Sequence, residues 1–183
     1  MKLHFLIILS LFLSLPFWGY SQNRISLEVG YYGNNISQPG ATIGFEYDKS
    51  FTGDFSSPLR SNIGFFKGPE YNVLFLEVHK GFRKKMDSGL FLEQSIGVGA
   101  VANFFTLESI WYNDPVSGAI FRYKDGANWG ISPSVTVGAG YSLKNSPHSF
   151  WIRPKVYWNF FIRALQHPYG AVQVGYSYTF KSN

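Results

Sequence analysis

Along most of this chain apolar and polar residues take turns. Residues 130–143 set Ile131, Pro133, Val135, Val137, Ala139, Tyr141 and Leu143 on one parity and Ser132, Ser134, Thr136, Gly138, Gly140 and Ser142 on the other. A period of two is the mark of a β-strand with two different faces, and no stretch of comparable length keeps the 3.6-residue period of a helix. The pattern predicts eight strands, over about 24–31, 41–47, 59–66, 71–82, 89–104, 130–143, 150–160 and 171–180. The fold class is therefore all-β.

The polar face decides which side points inward. It carries either Gly, Ser and Thr or full charges: Arg24, Glu28, Glu46, Arg60, Glu77, Glu93, Arg153 and Lys155. Solvent faces of sheets favour long polar side chains over runs of Gly and Ser. Tiny residues suit a crowded interior, where they leave room for large neighbours. Four acids and four bases would then pair inside, with His79 beside Glu77, because an unpaired buried charge is costly. The apolar face turns to lipid, and the architecture becomes a closed antiparallel up-and-down transmembrane β-barrel of about eight strands.

Composition supports this inversion. Only 15% of the chain is charged, while it holds 12 Tyr, 18 Phe and 5 Trp. Tyr and Trp collect at membrane–water boundaries. The opening "MKLHFLIILSLFLSLPFWGYSQ" places Lys2 before an apolar run that ends at Pro16, with small residues Gly19 and Ser21 beyond it. This reads as a cleaved signal peptide over 1–21, leaving 22–183 as one barrel domain. With no Cys, an exported chain here has no disulfides to staple it. The formal charge of +5 is scattered and gives no nucleic-acid stripe.

Connections follow from an even strand number with both ends in the periplasm. Outer loops are expected at 32–40, 67–70, 105–128 and 161–168, and inner turns at 48–58, 83–89 and 144–148. Pro133 is expected where its strand leaves the membrane, and Pro154 at a bulge or strand boundary, since a proline withholds a ladder hydrogen bond.

The end of the chain, "VGYSYTF" at 174–180, aligns Tyr176, Tyr178 and Phe180 on one face. This resembles the C-terminal assembly signal of outer-membrane β-barrels, although Lys181, Ser182 and Asn183 follow the Phe here. The whole span 22–183 resembles a small eight-stranded barrel of the OmpA transmembrane or OmpX type. The resemblance is one of pattern; it implies insertion by the barrel-assembly machinery and an integral outer-membrane location, in contact with membrane lipid and lipopolysaccharide. It implies no activity.

Candidate chemistry is sparse, and neither a catalytic residue nor a cofactor or metal site is assigned. His79 and Glu77 share the inward face, as an acid/base pair, half a metal site or members of the ionic network. His148 lies in an expected inner turn and reads as solvated. His167 is expected near Glu108, Ser109, Asp114, Ser117 and Asp125 at the outer end, without the strand-borne His–Ser clustering of barrel deacylases. The third outer loop, "FFTLESIWYNDPVSGAIFRYKDGANW", has two alternating arms, 106–112 and 119–123, around a turn-forming "NDPVSG". Its Trp111, Tyr112, Phe121, Tyr123 and Trp129, beside Arg122 and Lys124, resemble a binding surface for a glycan, a lipid head group or a protein. The leading expectation is a non-enzymatic barrel with a side-chain-filled interior that stabilises the envelope or binds through this loop. The alternatives are a lipid A acyl hydrolase or transferase, and a soluble exported barrel of the lipocalin kind.

Overall fold

The structure is a computed structural model that describes residues 23–34, 38–52, 54–68, 71–105, 109–113, 118, 120–124, 127–160 and 168–180. The segment read as a signal peptide lies outside these residues. Eight long strands form the wall: β1 (Asn23–Asn34), β2 (Gln38–Thr52), β3 (Phe55–Lys67), β4 (Tyr71–Lys85), β5 (Leu90–Phe105), β8 (Ala127–Ser142), β9 (His148–Trp158) and β10 (Pro168–Phe180). They close into one antiparallel barrel in which each strand pairs with its neighbour in this order and β10 returns to β1. Two short strands, β6 (Ser109–Asn113) and β7 (Ile120–Lys124), pair with each other between β5 and β8. They are the hairpin expected in the third outer loop, with its arms set slightly later in the chain.

The wall is built inside out. Along β3, Arg60, Asn62, Gly64 and Phe66 are buried while Leu59, Ser61, Ile63 and Phe65 are exposed. Val137 and Phe45 are each 59% exposed, whereas Arg153 is 1% exposed. An ordinary aqueous surface does not carry ring upon ring of exposed Ile, Leu, Val and Phe. A closed strand count also leaves no edge with unpaired backbone groups.

Small residues open the interior as expected. A methyl on Gly97 would lie 2.4 Å from the His79 ring, and one on Gly138 would lie 2.9 Å from Glu93 Cγ and 3.0 Å from Arg153 Cγ. The tight turn between β4 and β5 needs Gly89, whose φ is +96° and whose added methyl would meet the Ser142 carbonyl at 2.5 Å.

Two strand boundaries differ from the sequence pattern. The first inner turn was expected over 48–58, but β2 runs on to Thr52 and β3 begins at Phe55. Residues 83–85, expected in a turn, are the last residues of β4. Both changes draw charged residues into the wall.

One proline also sits differently from its expected place at a bulge or strand boundary, namely Pro154. β8 continues six residues beyond Pro133 towards the hairpin, and Pro154 lies inside β9 without a shift of register. The β8–β9 ladder keeps one register from the Ile131–Phe160 bridge to the Ser142–Ser149 pair. It skips the positions where Pro133 would face Trp158 and Pro154 would face Val137. Hydrogen-bonded pairs alternate along an antiparallel ladder, and the Ile131–Phe160 and Leu143–His148 bonds fix the phase. Both missing proline N–H groups therefore point into this one seam.

Candidate functional site

The inward parity of the strands converges on an ion-paired interior. Arg153 on β9 is the hub: its Nη1 and Nη2 donate to the two Glu28 oxygens at 2.8 Å each, and its Nε donates to Glu93 at 2.5 Å. Glu93 also accepts from Arg60 at 2.7 Å and from Arg83 at 2.9 and 2.5 Å. Arg83 holds both oxygens of Glu46, at 2.7 and 2.6 Å, and reaches Asp48 at 3.4 Å. Lys85 closes this end on Asp48 at 2.6 Å. Planar guanidinium forks suit such bidentate contacts.

Towards the hairpin end stands a second group. Lys155 donates to Glu77 Oε1, and His79 Nε2 donates to Glu77 Oε2 at 3.0 Å. Above it Tyr32, Phe66, Val73, Phe75, Val101, Tyr157 and Ala171 form one buried cluster. Tyr32 stacks on Phe66 with ring centres 5.3 Å apart, and Lys155 Nζ lies 5.1–5.5 Å from the Tyr32, Phe75 and Tyr157 rings. The aromatic layer thus covers a cation whose other side is neutralised, and both features favour a dry, filled interior.

Five carboxylates, Glu28, Glu46, Asp48, Glu77 and Glu93, meet five cations, Arg60, Arg83, Lys85, Arg153 and Lys155. Of the residues expected to form the interior network, the structure brings together Glu28, Glu46, Arg60, Glu77, His79, Glu93, Arg153 and Lys155. Arg24 shares their parity but is exposed at the start of β1 and makes none of these ion pairs. Asp48, Arg83 and Lys85 join them because the strands run further than the pattern suggested. The aromatic layer was not expected: its Phe75 lies in the continuous apolar run "VLFL", where parity gives no contrast.

Linkage inside the second group is directly measurable. Lys155→Met leaves Glu77 with His79 alone and is expected to destabilise the barrel by about 2 kcal/mol, the size of a hydrogen bond to a charged group. Adding Glu77→Gln should return most of that loss in urea unfolding of the folded barrel. Independent, additive losses in this double-mutant cycle would show that the two side chains do not act as a pair.

The other expected site residues fall into three places. Trp129 is 66% exposed on the outward parity of β8, in the position of a girdle ring. Trp111, Tyr112, Phe121, Arg122, Tyr123 and Lys124 lie in the β6–β7 hairpin, whose register sets Trp111 opposite Arg122 and Tyr112 opposite Phe121; their side chains lie outside the described residues. His167, Glu108, Asp114, Ser117 and Asp125 also lie outside them. His148 is not simply solvated: its Nδ1 shares a 2.5 Å hydrogen bond with the Tyr176 hydroxyl, and the two rings stack.

No protein-family model matches the chain, and no curated protein matches it in sequence. Solved structures do. Neisserial surface protein A superimposes with a TM-score of 0.57 at 7% identity, over 88% of this chain and 100% of its own. The fold is that of the small outer-membrane β-barrels. Within that group, Ail of Yersinia pestis, solved in complex with the heparin analogue sucrose octasulfate, matches with a TM-score of 0.52 at 12% identity, over 87% of this chain and 99% of its own. The outer membrane enzyme PagL gives 0.45 at 17% identity, over 87% and 99%. As in any small outer-membrane β-barrel, an exposed apolar band calls for hydrocarbon around it, and here the interior ion pairs supply the complementary polar side.

Proposed function

We propose that the protein is an integral outer-membrane β-barrel without catalytic activity, closed to solute flux, that presents the β6–β7 hairpin as its binding element. The observation that carries this reading is the filled interior, where the Arg153 hub and the aromatic layer over Lys155 occupy successive levels of the barrel. Membrane lipid and lipopolysaccharide are its surroundings, and the barrel-assembly machinery is its route of insertion. A glycan or protein is the ligand class of the hairpin, which joins aromatic residues to Arg122 and Lys124. Because Ail shares the fold and was solved with a heparin analogue, a sulfated oligosaccharide is the first probe to use.

Planar-bilayer recording tests the closed interior. The reconstituted barrel is expected to give no steady conductance, and a stable open level would overturn that part of the reading. Binding is tested by titrating sucrose octasulfate and an array of glycans against the intact barrel and against one whose residues 105–128 are replaced by a short turn. Binding that disappears with the hairpin supports its role; binding that survives the replacement places the site elsewhere. Unchanged lipid A acylation in membranes with and without the protein is the result expected of a non-enzyme.

A further inference from the structure

The lipid-facing wall is uneven. Two neighbouring outward rows cross the seam described above: Val135, Val156 and Gly170 in one, and Val137, Pro154, Val172 and Gly33 in the other. On the strands outside the trough the equivalent rows carry larger groups, such as Ile43 beside Ile63 and Leu76. Where glycine and proline replace them the wall is indented, and a trough of about 510 Å³ opens across β8, β9, β10 and β1. A methyl built on Gly170 would meet nothing within 4 Å.

We propose that this trough is a fixed seat for one acyl chain of a lipid in the leaflet nearest the hairpin. Apart from Lys155 the walls are valine, proline, glycine and alanine, and the flanking Val135, Val137 and Val156 are 44–59% exposed, so the filling must be apolar. An unfilled depression forfeits dispersion contacts on every lining atom, whereas a flexible hydrocarbon chain can follow its shape. Lys155 also borders the trough, yet its ammonium is turned inward to Glu77. Recognition is therefore of the chain and not of a charged head group. The trough spans three strand spacings, roughly 14 Å, which suits an extended segment of a chain and not a compact ligand.

The inference rests on the membrane reading above, and the two can fail separately. The full-length barrel is folded into phosphatidylethanolamine–phosphatidylglycerol vesicles carrying a small fraction of phosphatidylcholine with a diazirine on one acyl chain. After irradiation, labelled residues are mapped by mass spectrometry. Adducts over 135–137 and 154–156 are expected to exceed those at Ile43 and Ile63 by about fivefold, a preference of about 1 kcal/mol. Two variants fill the trough, Gly170→Leu and Val156→Phe, and each should bring the labelling down to the level of the rest of the wall. Ser61→Leu, which adds bulk to an exposed position on β3, away from the trough, should not. Heat-modifiable migration identifies the folded variants. Even labelling of a folded barrel, or an excess that survives either filled trough, overturns the seat while leaving the membrane barrel intact. A chain that stays in the aqueous fraction overturns the membrane reading itself.

Discussion

Arg153→Met is expected to cost the folded barrel about 3–5 kcal/mol, the usual consequence of removing one partner from a buried ionic cluster. The loss is larger than a count of its bonds suggests. Glu28 is 3% exposed, and Arg153 supplies both of its ion-pairing hydrogen bonds, so methionine leaves a carboxylate charge stranded in the interior. Glu93 fares better, since Arg60 and Arg83 still reach it. The double variant Arg153→Met/Glu28→Gln should therefore recover much of the loss. Urea unfolding of the barrel in vesicles, followed by tryptophan fluorescence, gives the comparison. If the single variant unfolds at the wild-type midpoint, the hub contributes no net stability.

Gly175→Val is the second large effect, at about 3 kcal/mol from overpacking. Its added Cβ would lie 2.3 and 2.5 Å from Trp151 ring carbons and 2.6 Å from the Val29 carbonyl. The ring lies across Gly175 and its cross-strand partner Gly30, where a Cβ added to Gly30 would likewise fall 2.9 Å from it. Trp151 also lies under the Arg153 guanidinium, 3.9 Å from ring centre to carbon, so displacing it disturbs the hub as well. Folding yield and unfolding midpoint should both fall. Gly170→Val, where an added Cβ meets nothing within 4 Å, is the matched control, and equal losses in the two would show that crowding against Trp151 is not responsible.

The sequence made the inversion of the wall legible because two signals agreed. Parity separated the faces, and the small-plus-charged makeup of one face matched a packed interior better than a wet surface. What stayed hidden lay where parity lost contrast. At Arg83, Lys84 and Lys85 three charges follow one another, so an inward–outward–inward strand end looks like a polar turn. Asp48 beside Lys49 failed for the same reason. Arg24 failed in the opposite way: its parity is inward, but the first residues of a strand face an open rim where no neighbour closes over them. The aromatic layer escaped because inward Phe75 sits between outward Leu74 and Leu76, and an apolar run has no alternation to read. The hairpin backbone was visible from its turn-forming residues, while its ligand depends on side-chain geometry that no periodicity encodes.

Pro133 and Pro154 carry a consequence for the unfinished sheet. Until β9 and β10 dock, the free side of β8 is an edge, and a flat edge of donors and acceptors is a template for strands of other chains. Pro133 removes one donor from that edge, and Pro154 removes one from the strand meant to cover it. A foreign strand must leave a carbonyl unanswered at Pro133, with no whole-barrel closure to offset the loss. The native partner meets the same two gaps but gains the β10–β1 ladder from Ile25–Phe180 to Asn34–Ala171 in return. Pro133 thereby leaves the exposed edge of β8 a poorer template for a strand of another chain than an edge with every donor in place.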